Sequence, residues 1–188
     1  MLNNFFVIDN LFSDPEEIVK LAKQQKYYKI DEHPRDKNTH ISWEGTRTEW
    51  LHDVCSENVQ LLLQNEITRK LCNTIRPDAF VDVDQDMRMH FHLFTNDNQH
   101  KPEWFHIDTT ILAGIVYLNP DISDNPKHGT IIKFNGVDEI IPNRYNRLVA
   151  YRGDYIHAPA SGFGNNLDDG RLTLNFFIHS LNLSVKSR

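Results

Sequence analysis

Two imidazoles and one carboxylate are the residues here that could do chemistry together: His106 and Asp108, separated by one isoleucine, and His157 far downstream, with Arg171 after it. Such a set can hold one face of an Fe(II) ion and leave three positions open, as a metal-dependent oxidation needs for a chelating cosubstrate and O2. At i and i+2 on a β-strand, His106 and Asp108 project from one face and reach one ion. His157 lies 49 residues beyond Asp108 (157 − 108), room for several strands to fold back as in a small β-barrel. Inward-pointing imidazole and carboxylate groups are costly to bury without a partner, and a cation supplies that partner.

Residues 171–178 (RLTLNFFI) alternate Arg171, Thr173 and Asn175 on one face with Leu172, Leu174 and Phe176 on the other. A guanidinium on a buried strand wants a planar anion in bidentate contact. The far carboxylate of a dicarboxylic acid would serve.

Five elements follow one another in order: the His106/Asp108 pair, the run Tyr117, Leu118 and Asn119 closing residues 115–119, a stretch with Gly129, Thr130 and Phe134, the distal His157, and Arg171 with Thr173. Together they resemble the Fe(II)/2-oxoglutarate-dependent oxygenases, most closely their prolyl-4-hydroxylase-like branch, over roughly residues 86–180. The resemblance implies Fe(II) on His106, Asp108 and His157, with 2-oxoglutarate chelating the iron through its keto and adjacent carboxylate oxygens. Arg171, Thr173 and Tyr117 would hold the far carboxylate, and O2 would take the remaining position. The products would be succinate, CO2 and a hydroxylated substrate. Halogenating members of that family lack the carboxylate that Asp108 provides, so hydroxylation is implied. A single glycine before Thr130 leaves the register of the following strand open. Two alternatives also stay open: a cupin-type metalloenzyme that does without 2-oxoglutarate, suggested by Gly153 four residues before His157, and a non-catalytic metal-binding module on the same fold.

The elements that must position these groups divide the chain. Ser13, Asp14, Pro15 and Glu16 signal a helix start, followed by Ile18, Leu21 and Ala22 at helical spacing. A second helical region is expected over 53–75, with a break near Asn65 and Pro77 closing it. From residue 79 the periodicity changes to that of strands, expected at 79–83, 87–94, 104–108, 111–118, 130–134, 147–152, 155–158 and 171–179. Eight strands flanked by N-terminal helices predict an α+β chain, mainly β, with a double-stranded β-helix core of the jelly-roll or cupin-like kind. A single domain is expected over 1–188, with a helical support region at 1–78 and the β core at 79–183.

Candidate substrate contacts come from three places. Trp104 shares a strand face with His106 and Asp108 and would stand at the pocket mouth, or else pack in the core. In residues 87–94, Met87, Met89, Phe91 and Leu93 oppose Arg88, His90 and His92, and the polar face is expected to look into the barrel, with Arg88 and His92 lining it. Arg47 is a further contact from the helical half. A small molecule and a protein or peptide both remain possible substrates, and the oligomeric state is open.

Composition bounds the rest. At 188 residues and 39% hydrophobic content the chain can bury one substantial core. A net charge of −6 and no Lys/Arg run argue against sequence-independent nucleic-acid binding. No stretch approaches a membrane span, and Asn3, Asn4 and Asp9 interrupt the opening where a signal peptide would be apolar. Cys55 and Cys72 lack a Cys-x-x-Cys spacing and read as reduced packing residues, so the expected compartment is the cytoplasm.

Overall fold

The computed structural model describes residues 5–38, 43–75, 81–120, 122 and 124–185. Nine strands and three α-helices occur among them, in the order β1 (Phe5–Ile8), α1 (Pro15–Lys23), β2 (Thr46–Arg47), α2 (Leu51–Val54), α3 (Glu57–Ile75), β3 (Val81–Phe94), β4 (Leu112–Tyr117), β5 (Asn125–Phe134), β6 (Val137–Asn143), β7 (Leu148–Arg152), β8 (His157–Pro159) and β9 (Arg171–Val185). They form two antiparallel sheets, a major one ordered β1-β7-β4-β9-β3-β2 and a minor one ordered β6-β5-β8. No helix among the described residues is long and apolar enough to cross a membrane.

The major sheet has an apolar core on each face. On its outer face Met87, Met89, Phe91, Leu172, Leu174 and Phe176 meet Ile18, Ala22, Leu63, Ile67 and Leu71 of the helices. Asp14 caps α1 by accepting from the Glu17 amide, and Pro15 occupies the first turn, where no amide hydrogen is missed. α3 is tied to β3 where that strand bulges between Asp86 and Met87: Gln64 donates to the Met87 carbonyl and Thr68 to Gln85. On the inner face Ala113, Ile115, Tyr117, Val149 and Tyr151 pack against Ile132 and Ile141 of the minor sheet. The register after Gly129 is set by Thr130 opposite both Ile141 and Pro159, which turns Thr130 and Ile132 inward.

Several expectations are corrected. Residues 104–108 are not a strand: Pro102–Trp104 form a 3-10 turn, proline being suited to its start, and His106 pairs with His157 only as an isolated bridge. α3 runs unbroken past Asn65, and the interruption falls at Cys55 and Ser56. The expected strand at 79–83 is the start of β3 from Val81 onward, while residues 79 and 80, like Pro77, lie outside the described residues. The first 78 residues also contribute two strands, β1 and β2, to the major sheet. β6 was not expected because it is acidic, mostly exposed and contains Pro142. Its signal was Asn135-Gly136, both at positive φ, a two-residue hairpin turn between β5 and β6.

Candidate metal and cosubstrate site

His106, Asp108 and His157 each bring one ligand atom to within 4.8 Å of the others. Reciprocal backbone bonds between His106 and His157 (3.0 and 2.9 Å) hold the two imidazoles side by side, and the Asp108 amide donates to the Gly153 carbonyl at 2.7 Å. Gly153 permits this approach, since a Cβ there would collide with the Thr110 carbonyl and come within 2.9 Å of that of Asp108. Each imidazole places Nδ1 on a main-chain carbonyl two residues back, His106 on Trp104 (2.8 Å) and His157 on Tyr155 (2.9 Å). Nδ1 must therefore carry the proton, and the Nε2 lone pair is left for a ligand.

The electrostatics fit a cation. Burial, and then the neighbouring His106, pull the His157 pKa down to about 4, against the Tyr155 bond, so its ring is neutral at pH 7. Its Nε2 faces Asp108 Oδ2 at 3.4 Å, and His106 Nε2 lies 3.8 Å from Oδ1. With His157 neutral, its short contact to Asp108 sets one lone pair against another rather than forming an ion pair. Burial accordingly pushes the Asp108 carboxyl up, with His106 opposing. A metal ion bound to all three would relieve the repulsion, and two imidazoles with one carboxylate are a donor set suited to Fe(II).

Arg171 is 4% exposed, and no carboxylate among the described residues pairs with it. Its Nε and Nη2 donate to the carbonyls of His128 (2.7 Å) and Gly129 (3.0 Å), and burial lowers its pKa, with Tyr117 opposing. The Tyr117 hydroxyl lies 2.8 Å from Thr130 Oγ1 and donates to the Ile141 carbonyl at 3.3 Å. Thr173 stands beside Tyr117 in register but donates to Asn175 Oδ1 at 2.7 Å. β5 relates the two halves of the site, since Thr130 touches Tyr117 while Ile132 is opposite His157. The same strand thus meets Arg171 at His128 and Gly129, Tyr117 at Thr130 and His157 at Ile132, so the guanidinium and the imidazole lie along one inner face.

The candidate substrate residues are partly gathered. His92 is half-buried on the inner face, bonded to the Glu44 carbonyl at 2.6 Å, and burial foremost brings its pKa to about 3. Arg47 is opposite His92, ion-paired with Asp36 and 4.3 Å over the Trp43 ring. Trp104 does not share a strand with the ligands, yet its carbonyl holds His106 and its ring lies 5.4 Å from Phe94. Arg88 is exposed and does not line the interior, because its position on β3 lies beyond the last buried turn-in at His90. His90 lies on the inner face as expected, buried against Trp50 and Phe177 with Nδ1 unpartnered, whereas one residue was missed: Tyr151, whose ring centroid is 4.4 Å from that of His157. Alternation along 148–152 was the available signal for Tyr151.

No protein-family model matches the chain, and no curated protein matches it. Its fold is nevertheless shared with solved 2-oxoglutarate and Fe(II) oxygenase structures. A prolyl-4-hydroxylase from Pseudomonas putida superposes with a TM-score of 0.61 at 15% identity, over 95% of this chain and 93% of the other. A Trichoplax adhaerens prolyl hydroxylase, solved with a peptide of the hypoxia inducible factor oxygen degradation domain, gives 0.59 at 12% identity over 95% and 84%. The collagen prolyl hydroxylase of Paramecium Bursaria Chlorella virus-1, solved as a 2-oxoglutarate complex, gives 0.51 at 13% over 94% and 96%. The class defined by this fold and donor set is thus a mainly β scaffold of antiparallel sheets with a two-histidine, one-carboxylate site between them.

Proposed function

We propose that the chain is an Fe(II)- and 2-oxoglutarate-dependent dioxygenase, a single domain with a double-stranded β-helix core, that hydroxylates a C–H bond and releases succinate and CO2. The observation that carries this is one juxtaposition: two imidazoles and a carboxylate with their ligand atoms within 4.8 Å of one another, on the inner face that also carries a buried guanidinium with no carboxylate partner among the described residues. In this reading His106, Asp108 and His157 hold the iron. Arg171 binds the far carboxylate of 2-oxoglutarate, with Tyr117 and Thr173 shaping that end. Iron, 2-oxoglutarate and O2, when bound, supply the oxidising chemistry.

The protein's own work is positioning and exclusion. Both Nδ1 bonds keep the imidazoles in the ligating tautomer, and the apolar pair Ile132 and Ile115 walls the interior against water. Substrate reaches the metal past Trp104 and the aromatic wall of Phe94, His92 and Trp43, with Arg47 at its edge. The peptide bound to the Trichoplax enzyme supports a peptide substrate, and a small molecule would fit the same wall. The unpaired Cys55 and Cys72 suit a reducing cytoplasm.

The test is to add Fe(II) and then 2-oxoglutarate without oxygen and follow the visible metal-to-ligand charge-transfer band. A band that requires 2-oxoglutarate and weakens in Arg171→Ala is expected. Bound iron with no band would move the cupin-type alternative to the front. A band without succinate in any turnover would leave a binding module.

A further inference from the structure

The second tyrosine on the inner face of the major sheet has no assigned task. Tyr151 is 3% exposed and lies opposite Ala113 on β4, which in turn lies opposite Phe177 on β9. Alanine at that place leaves the inner face shallow beside the tyrosine ring, between it and Phe177. The ring leans on His157, centroids 4.4 Å apart at 45°. The two inner tyrosines differ in their hydroxyls. That of Tyr117 is engaged by Thr130 and Ile141, whereas that of Tyr151 has no hydrogen bond to any described residue. On a residue only 3% exposed, a hydroxyl without a protein partner is free to donate to a ligand.

Position says which part of a ligand it would meet. Tyr117 and Arg171 stand at the Thr130 end of β5, while Tyr151 leans on His157, opposite Ile132. The Tyr151 ring rests on a member of the metal triad, and Asp108, Tyr117 and Arg171 all act electrostatically on its hydroxyl. The two Asp108 oxygens face His106 and His157, and the guanidinium has no lone pair to offer.

Resting on the proposed use of 2-oxoglutarate, we infer that Tyr151 positions this cosubstrate by donating a hydrogen bond to the carboxylate presented at the metal end, opposite the end held by Arg171. The two contacts fix the chain of the dicarboxylate at both termini. They leave the face toward Trp104 and Phe94 free for the substrate. A donor to an ionised oxygen in this enclosed place is of the strong, charge-assisted kind.

Tyr151→Phe removes one oxygen and keeps the ring against His157. Titrating 2-oxoglutarate into the anaerobic Fe(II) protein, the variant should bind about tenfold more weakly and show a displaced charge-transfer maximum. Fe(II) affinity and melting temperature should stay at the wild-type values. Oxalate, which offers metal-end carboxylates and no far one, serves as the second probe, read by its competition with 2-oxoglutarate. It should lose affinity in Tyr151→Phe and keep it in Arg171→Ala. Unchanged 2-oxoglutarate affinity and band in Tyr151→Phe would overturn the inference, as would weakened 2-oxoglutarate with unaltered oxalate. Wild-type protein that binds iron and never develops the band would overturn the proposed function itself, and this inference with it.

Discussion

The two faces of the major sheet are built by the same strands and do opposite things. Outward, β3 and β9 present Met89, Phe91, Leu174 and Phe176, all at 1% exposure or less, to the helices. Inward, the alternate residues of the same strands are His90, His92, Arg171, Thr173 and Asn175. Strand periodicity thus places stability and chemistry a single residue apart along the chain. The inner face gives up stability in exchange, since unpartnered buried nitrogens of His90, Trp43 and Trp104 gather on that side. A face carrying such groups is tolerable when the opposite face is satisfied, and the helices see to that.

Substitutions should separate the two faces, and the largest effect is expected at the metal. Asp108→Ala should lower Fe(II) affinity by well over a hundredfold, measured by competition with a chelator, because it removes a direct ligand where loss of a mere supporting bond costs about 10–100-fold. Its circular dichroism should remain that of the wild type, as the outer core is untouched. Phe176→Ala should do the reverse, costing about 3–5 kcal/mol in urea unfolding while the folded fraction keeps its Fe(II) affinity. If Phe176→Ala also weakens iron binding, the faces are coupled and the division fails. Arg171→Ala should weaken 2-oxoglutarate by about 2–4 kcal/mol with iron binding retained, visible as a right-shifted charge-transfer titration.

Acidity offers a finer separation. His157 and His92 have folded pKa values of about 4 and about 3, below the 6.5 of an exposed imidazole. Below pH 6.5 the unfolded chain takes up protons that the folded chain refuses. Stability of the iron-free protein is therefore complete above pH 6.5 and declines as pH falls toward 4, by at most about 1.4 kcal/mol per pH unit for each group. The raised Asp108 pKa opposes this at the acid end of the window. The slope of unfolding free energy against pH should be the same in Phe176→Ala as in wild type and shallower in His157→Gln. Smallest of all, Asp14→Ala should cost about 1 kcal/mol by uncapping α1, and should leave every site measurement unmoved.

Residue identity and spacing located the candidate site better than they gave the architecture. His106, Asp108 and His157 converge as expected although the strand thought to carry the first two does not exist, because a bridge and a 3-10 turn can aim side chains as well as a strand can. The alternation in residues 171–178 revealed both faces of β9, since an arginine amid leucines has only one buried reading. What escaped notice lacked a periodic signature. β6 is exposed and carries charge on either side, and α2 ends at Cys55 with no glycine or proline there to announce it. Tyr151 drew no notice because its significance depends on the neighbour that folding brings to it.

The reciprocal backbone bonds between His106 and His157 also bear on how an ion would come and go. Two of the three ligands belong to one rung and move as a single jaw, while the third is a short side chain turning about its own χ1. Release of the ion would then mean breaking three ligand bonds, with no opening of either sheet. The lifetime of the loaded state should follow the strength of those three bonds, and a protein weakened in its outer core should hold its ion for as long as a robust one.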